Sequence, residues 1–176
     1  MATIYTIGHS TRELPELISA LQAHGIKTLV DIRAFPMSRR LPHFNRESLE
    51  KSLPESGIAY VWKPVLGGRR KRQRKDSPNT GLRNDSFRNY ADYMLTSEFQ
   101  NGIDELLDLA ETSPTAIMCA ERVYFRCHRM LVSDYLKAHG HEVLHIDNEK
   151  PARPHKLTDE ARLVDGKLIY AEPKLF

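Results

Sequence analysis

The sequence predicts an α/β fold: a mainly parallel central sheet of about five strands, helices on both faces, and a small C-terminal hairpin or extension. Three observations predict it. Short runs rich in β-branched and aromatic residues alternate with segments of helical periodicity. Apolar residues within the short runs cluster rather than alternate, as in strands covered on both faces. Polar, reactive side chains recur where the short runs end, and right-handed crossovers gather such ends along one sheet edge.

Thr3 to Gly8 (TIYTIG) is the first strand, stopped by glycine. Leu14, Leu17, Ile18 and Leu21 then repeat at helical spacing. Pro15 fits only the first turn of that helix, because an interior proline costs about 3 kcal/mol. Gly25 closes it. Lys27 to Ile32 (KTLVDI) is the second strand. A helix over 46–56 turns Leu49 and Leu53 inward, and Ile58 to Trp62 is the third strand. Residues 67–86 form a long polar loop, a length usually functional or disordered within a compact domain. A helical pattern covers 87–111, divided at Thr96 and Ser97, with Ser97 as the N-cap. Thr115 to Cys119 is the fourth strand, 127–139 the next helix, and His141 to Ile146 the fifth strand. Pro151 and Pro154 mark a linker, and 157–162 suits a short helix. Asp165-Gly166 suits the turn of a small hairpin. The chain, 1–176, reads as one domain with its core at about 3–147 and an extension over 148–176.

Composition narrows the class. An apolar fraction of 40% and a charged fraction of 28% are those of a soluble globular protein. No apolar run approaches the roughly 18 residues of a membrane helix. The first residues enter a strand directly, without a signal-peptide layout. A cytoplasmic protein without a membrane partner is expected. Two cysteines make no disulfide framework, so both are expected as thiols. Net charge is +3, yet six basic residues sit in one run: Arg69, Arg70, Lys71, Arg72, Arg74 and Lys75. Without them the balance is 20 basic against 23 acidic residues, so the basic character belongs to one loop. Such a run is either a solvated segment or a contact for DNA or RNA, whose phosphates bind clustered Lys and Arg by counterion release.

The densest chemistry lies at Met118-Cys119-Ala120-Glu121-Arg122, followed by Cys127-His128-Arg129. A buried strand ends there in a thiol, a carboxylate and a guanidinium. Ligands of open α/β sheets bind at the carboxyl ends of strands. The same edge should collect His9, Ser10, Asp31, Arg33 and His145. Arg33, Arg39, Arg122 and Arg129 suit an anion cradle, with Ser10 as a further donor. His9, Asp31 and Glu121 are candidates for proton transfer. Cys119 is a candidate nucleophile beside arginines. The spacing fits no phosphatase-type loop, since five intervening residues put Phe125 where arginine is needed. It fits no rhodanese-like loop either, since four put Tyr124 there. Zinc accepts cysteine and histidine, but there is no Cys-x-x-Cys and no His-Glu-x-x-His. No metal residue is assigned, and a divalent metal stays open as a cofactor. Glycine-rich nucleotide loops are absent. Tyr60 and Trp62 near the basic loop could stack bases or pack in the core.

Three motifs in order carry a resemblance. Thr6-Ile7-Gly8-His9-Ser10, then Leu29-Val30-Asp31-Ile32-Arg33 with Pro36 and Ser38-Arg39, then Met118-Cys119-Ala120-Glu121 with Cys127-His128-Arg129, resemble the domain of unknown function 488 family. The resemblance covers about residues 3–147. It implies a shared site at these motifs and no settled reaction. Some members are labelled DNA-repair-related, which tilts the expectation toward nucleic acid. The basic run 69–75 stands outside those motifs. The expected function is an enzyme acting on a phosphate-bearing substrate, a nucleic acid or a nucleotide. The alternatives are a non-catalytic binding module for nucleic acid or a small anion, and a protein-docking domain that uses the basic loop.

Overall fold

A computed structural model describes residues 1–172; the last residues of the extension, 173–176, lie outside the described part. Five strands run parallel: β1 (Thr3–Gly8), β2 (Thr28–Asp31), β3 (Ala59–Trp62), β4 (Thr115–Cys119) and β5 (Glu142–Ile146). A sixth, β6 (Arg153–Pro154), pairs antiparallel with β5. The order across the sheet is β3-β2-β4-β1-β5-β6. β4 is therefore hydrogen-bonded to β2 on one side and β1 on the other. All five of its residues are buried, as its continuous apolar pattern requires.

Two apolar layers flank the sheet. Helices α1 (Leu14–Ala23) and α2 (Arg46–Glu55) send Leu17, Leu21, Leu49 and Leu53 onto one face, against Ile7, Leu29 and Met118. Helices α3 (Asp85–Tyr93), α4 (Ser97–Thr112) and α5 (Arg129–Ala138) cover the other, against Ile4, Val30 and Ile117. The hairpin of β7 (Ala161–Val164) and β8 (Lys167–Tyr170) joins that second layer through Leu168 and Tyr170.

The predicted α/β architecture and hairpin are present, with four local differences. The supposed linker contains β6, an edge strand that tolerates Pro154 because it lacks a second neighbour. No helix forms over 157–162; Ala161 begins β7 instead. The helix placed at 127–139 starts at Arg129, leaving Cys127 and His128 in the approach to it. The split at Thr96 and Ser97 holds, but Thr96 is the cap, its hydroxyl accepting from Phe99 N at 3.3 Å.

A buried polar chain ties the hairpin to the sheet. Asp134 has no exposed surface. Its carboxylate accepts from His155 Nε2 (2.7 Å), Thr158 N (3.0 Å) and the Tyr170 hydroxyl (2.8 Å). His155 Nδ1 meets His145 Nε2 at 2.8 Å, and the Thr6 hydroxyl meets His145 Nδ1 at 2.5 Å. Tyr124 stacks on His145 with centroids 3.9 Å apart. Buried polar groups stay buried cheaply only while every partner is present. His155→Ala should therefore lower stability by on the order of 3 kcal/mol, since it removes one buried partner from both Asp134 and His145. Urea titration checks this: the midpoint should fall with the slope unchanged.

Candidate functional site

Chain connections open the site. From β2 the chain passes to β3 on one side; from β4 it passes to β5 on the other. Between neighbouring strands with opposed connections a crevice opens at the carboxyl ends. A cleft of about 270 Å³ lies there. Arg33, Ala34 and Phe35 follow β2 on one wall, and Cys119, Ala120 and Glu121 follow β4 on the other. Gly68 and Arg69, the first turns of α3 at Phe87 and Tyr90, and Cys127 with His128 complete it.

Two thiols form its floor. Cys119 is 2% exposed, and its Sγ lies 3.0 Å from Cys127 Sγ. Both cysteines are free. The loop after β4 is fixed by a continuation of the β1–β4 pairing: His9 N donates to Cys119 O (3.0 Å) and Ser10 N to Ala120 O (2.9 Å). Gly8 makes this approach possible, because a Cβ there would lie 1.8 Å from Glu121 O. Gly68 has a similar duty, since a Cβ would meet His128 Nδ1 at 2.5 Å.

Arg129 lies against the thiol pair and is 2% exposed. Its backbone N–H donates to Cys127 Sγ at 3.4 Å, and its Nη2 donates to Arg122 O at 2.9 Å. Its Nε and Nη1 are buried without a hydrogen-bond partner among the described residues. Such a charge is costly unless compensated. The hydrogen bond from Cys127 holds the Cys119 thiol below its ordinary range; burial opposes this and the Arg129 charge adds to it. The same hydrogen bond and burial push Cys127 up. Of the two sulfurs, Cys119 is the one whose ionisation these surroundings favour.

A second buried arginine, Arg33, is held by a carboxylate, a carbonyl and an imidazole. Arg33 Nε and Nη2 donate to the two oxygens of Asp31 (2.9 and 2.6 Å), and Nη2 also donates to Phe44 O (2.7 Å). Arg33 Nη1 donates to His9 Nε2 at 3.2 Å. His9 therefore carries its proton on Nδ1 and donates it to Ser10 O at 2.8 Å. Asp31, with no exposed surface, also accepts from Arg33 N and the Tyr60 hydroxyl. This carboxylate and His9 hold Arg33 in place, and a substrate proton has no open path to Asp31.

The sequence-selected residues thus divide. Arg33, Cys119, Glu121 and Arg69 meet at the cleft, with His9, Asp31 and Arg129 directly behind it. Arg122 turns away, pairing with Asp147 at 2.8 and 3.0 Å on the exposed side. Arg39 is exposed in the 34–41 segment and Ser10 is half-buried, and neither lines the cleft. The expected four-arginine cradle does not assemble. Within the basic run, Arg70 folds back onto the carbonyls of Pro64, Val65 and Gly67 and over the Tyr93 ring at 3.9 Å. Arg72, Arg74 and Lys75 line a separate groove of about 600 Å³ beside α3 with Arg88. The thiols and histidines do not gather into a metal-binding group of three among the described residues. His128, in the Cys-His-Arg motif, also lines the cleft. Its Nε2 donates to Ile32 O at 2.8 Å, which leaves Nδ1 unprotonated.

Fold and site together define an open α/β protein whose switch-point cleft is floored by a thiol pair over a buried arginine. Residues 13–136 match the family model described as Domain of unknown function DUF488, and the chain belongs to that family. The match includes Asp31, Arg33, Cys119, Glu121 and Cys127 to Arg129. No curated protein and no solved structure matches the chain.

Burial lowers His9 and His128 to about 4 and His145 to about 3. Unfolded histidine takes its proton near 6.5. Between those values the unfolded chain holds more protons, so stability falls as pH drops below about 6.5. By pH 5 each histidine should cost on the order of 1–2 kcal/mol. Thermal unfolding at pH 7.5 and pH 5 measures this, and a flat profile would contradict the burial described. In addition, Gly8→Ala should displace the 119–122 loop and lower the melting temperature by several degrees.

Proposed function

We propose that the protein is an enzyme acting on a phosphate-bearing substrate, a nucleic acid or a nucleotide, in the cleft at the ends of β2 and β4. One observation carries this reading: the cleft and the basic groove share the first turn of α3. Ser86 and Phe87 line the cleft, while Asp85, Arg88 and Asn89 line the groove. The 69–75 loop passes from one to the other. A phosphate chain would lie along Arg72, Arg74, Lys75 and Arg88, releasing counterions as it binds. The acidic groups in that groove are already engaged. Asp92 accepts from Ser77 and Asn79, and Asp85 pairs with Arg88.

At the cleft mouth Phe35 is 69% exposed, with the Arg69 guanidinium 5.4 Å from its ring centroid. An exposed aromatic ring beside an arginine suits base stacking. Inside, Cys119 is the nucleophile and the exposed carboxylate of Glu121 the group that moves protons. Arg33, held by Asp31 and His9, retains one Nη1 hydrogen for a substrate oxygen.

Fluorescence anisotropy with labelled DNA and RNA oligonucleotides at several salt concentrations, followed by mass spectrometry of the strands, tests the reading. Neutralising Arg72, Arg74 and Lys75 should weaken binding more than tenfold and lower the salt slope by up to about 3. Glu121→Gln and Cys119→Ser should leave affinity within about twofold and reduce conversion at least 100-fold. Binding without conversion of any probe would make the cleft a non-catalytic module. Absence of binding near physiological salt would remove the polyanion reading.

A further inference from the structure

We propose that Cys119 and Cys127 form a reversible two-electron redox pair, in which Cys119 is the attacking sulfur toward a small hydroperoxide and Cys127 the resolving thiol. This inference is independent of the phosphate-bearing substrate. Three observations carry it. The two sulfurs are 3.0 Å apart, inside the roughly 3.5–4.0 Å at which non-bonded heavy atoms rest. A disulfide needs about 2.0 Å, so about 1 Å of movement closes it. The loop after Cys119 is fixed by its pairing with β1, so the movement falls to the segment before Cys127, where Phe125 and Arg126 are exposed. Both sulfurs line a cleft open to small molecules, whereas Cys119, at 2% exposure, is out of reach of a bulky protein disulfide. Finally, the Arg129 backbone N–H donates to Cys127 Sγ at 3.4 Å, and its buried guanidinium, with two nitrogens unpartnered among the described residues, acts electrostatically on Cys119, where an anionic sulfur would compensate it.

The chemistry balances. The Cys119 thiolate attacks one peroxide oxygen and the O–O bond breaks. Cys119 becomes a sulfenic acid, and the departing hydroxide takes a proton to leave as water. The Cys127 sulfur then attacks the Cys119 sulfur. The S–O bond breaks, an S–S bond forms, and the second oxygen leaves as water with the proton of Cys127. Two thiols and one peroxide give one disulfide and two waters; each sulfur loses one electron and each peroxide oxygen gains one. Closure removes the negative charge beside Arg129 and leaves its guanidinium uncompensated. The reduced form is thereby favoured, so the disulfide reopens readily with small thiols.

The full chain has two cysteines, which makes the experiment unambiguous. Reduced protein is exposed to equimolar hydrogen peroxide, then alkylated with iodoacetamide and weighed intact. The expected result is loss of both alkylation sites in one chain, a mass lower by two hydrogens, and recovery of both sites with dithiothreitol. Cys127→Ser should stop at a sulfenic acid on Cys119 that a dimedone-type reagent traps. Cys119→Ser should react with peroxide at least tenfold more slowly than wild type. Arg129→Met should need at least a tenfold higher thiol-to-disulfide ratio for half reduction. If both cysteines of the wild type still alkylate after peroxide, or the bond forms between chains, the proposal fails. It fails equally if Cys119→Ser reacts as fast as wild type. Since wild type alone gives the first readout, an unstable variant does not spare the proposal.

Discussion

Opposed chain connections at β2 and β4 are the constraint on which the site depends. Two adjacent parallel strands whose crossovers depart in opposite directions leave their carboxyl ends uncovered between them. Everything reactive here hangs from that gap. Arg33 follows β2, Cys119 and Glu121 follow β4, and α5 delivers Arg129 from below. β1 contributes from the far side of β4, through backbone pairing that runs on past the strands to Ser10 and Ala120. The absence of a side chain at Gly8 lets that loop lie against β1. Without it the thiol floor would be displaced from the sheet edge.

The two buried arginines differ in what satisfies them, and that difference sets the character of the cleft. Arg33 is held by a carboxylate, a carbonyl and an imidazole. It is an anchor with little capacity left. Among the described residues, Arg129 has a single carbonyl for its guanidinium and two nitrogens unmatched. An uncompensated cation in an apolar layer is unfavourable by itself. A thiolate at Cys119 would supply the missing charge, since the surroundings favour ionisation there over Cys127. The site is thus better described as a polarised thiol pair with a basic approach than as a cradle of arginines.

Much of the fold could be read from the chain. Five apolar clusters separated by helical stripes sufficed for the sheet and its covering layers, and glycines marked the helix ends. The strand-end rule places Arg33, Cys119 and Glu121 together from the sequence alone. Other features depend on partners remote in sequence. Arg122 looks like Arg129 as a motif neighbour, yet Asp147 draws it outward. Arg70 looks like the rest of its basic run, yet Tyr93 and three carbonyls hold it. His155, Asp134 and Tyr170 carry no local signal, because their chain assembles from three separated segments. Pro154 reads as a linker residue unless the single-sided edge of β5 is known.

The most direct measurement is the pH dependence of alkylation at each cysteine, followed by peptide mass spectrometry from pH 5 to 10. A free thiol reacts with a midpoint near 8.5. The structure predicts a midpoint below that for Cys119, no measurable transition for Cys127 in the same range, and an upward shift of the Cys119 midpoint in Arg129→Met. A Cys119 midpoint at or above 8.5, unmoved by loss of the Arg129 charge, would contradict the polarised pair and the chemistry built on it.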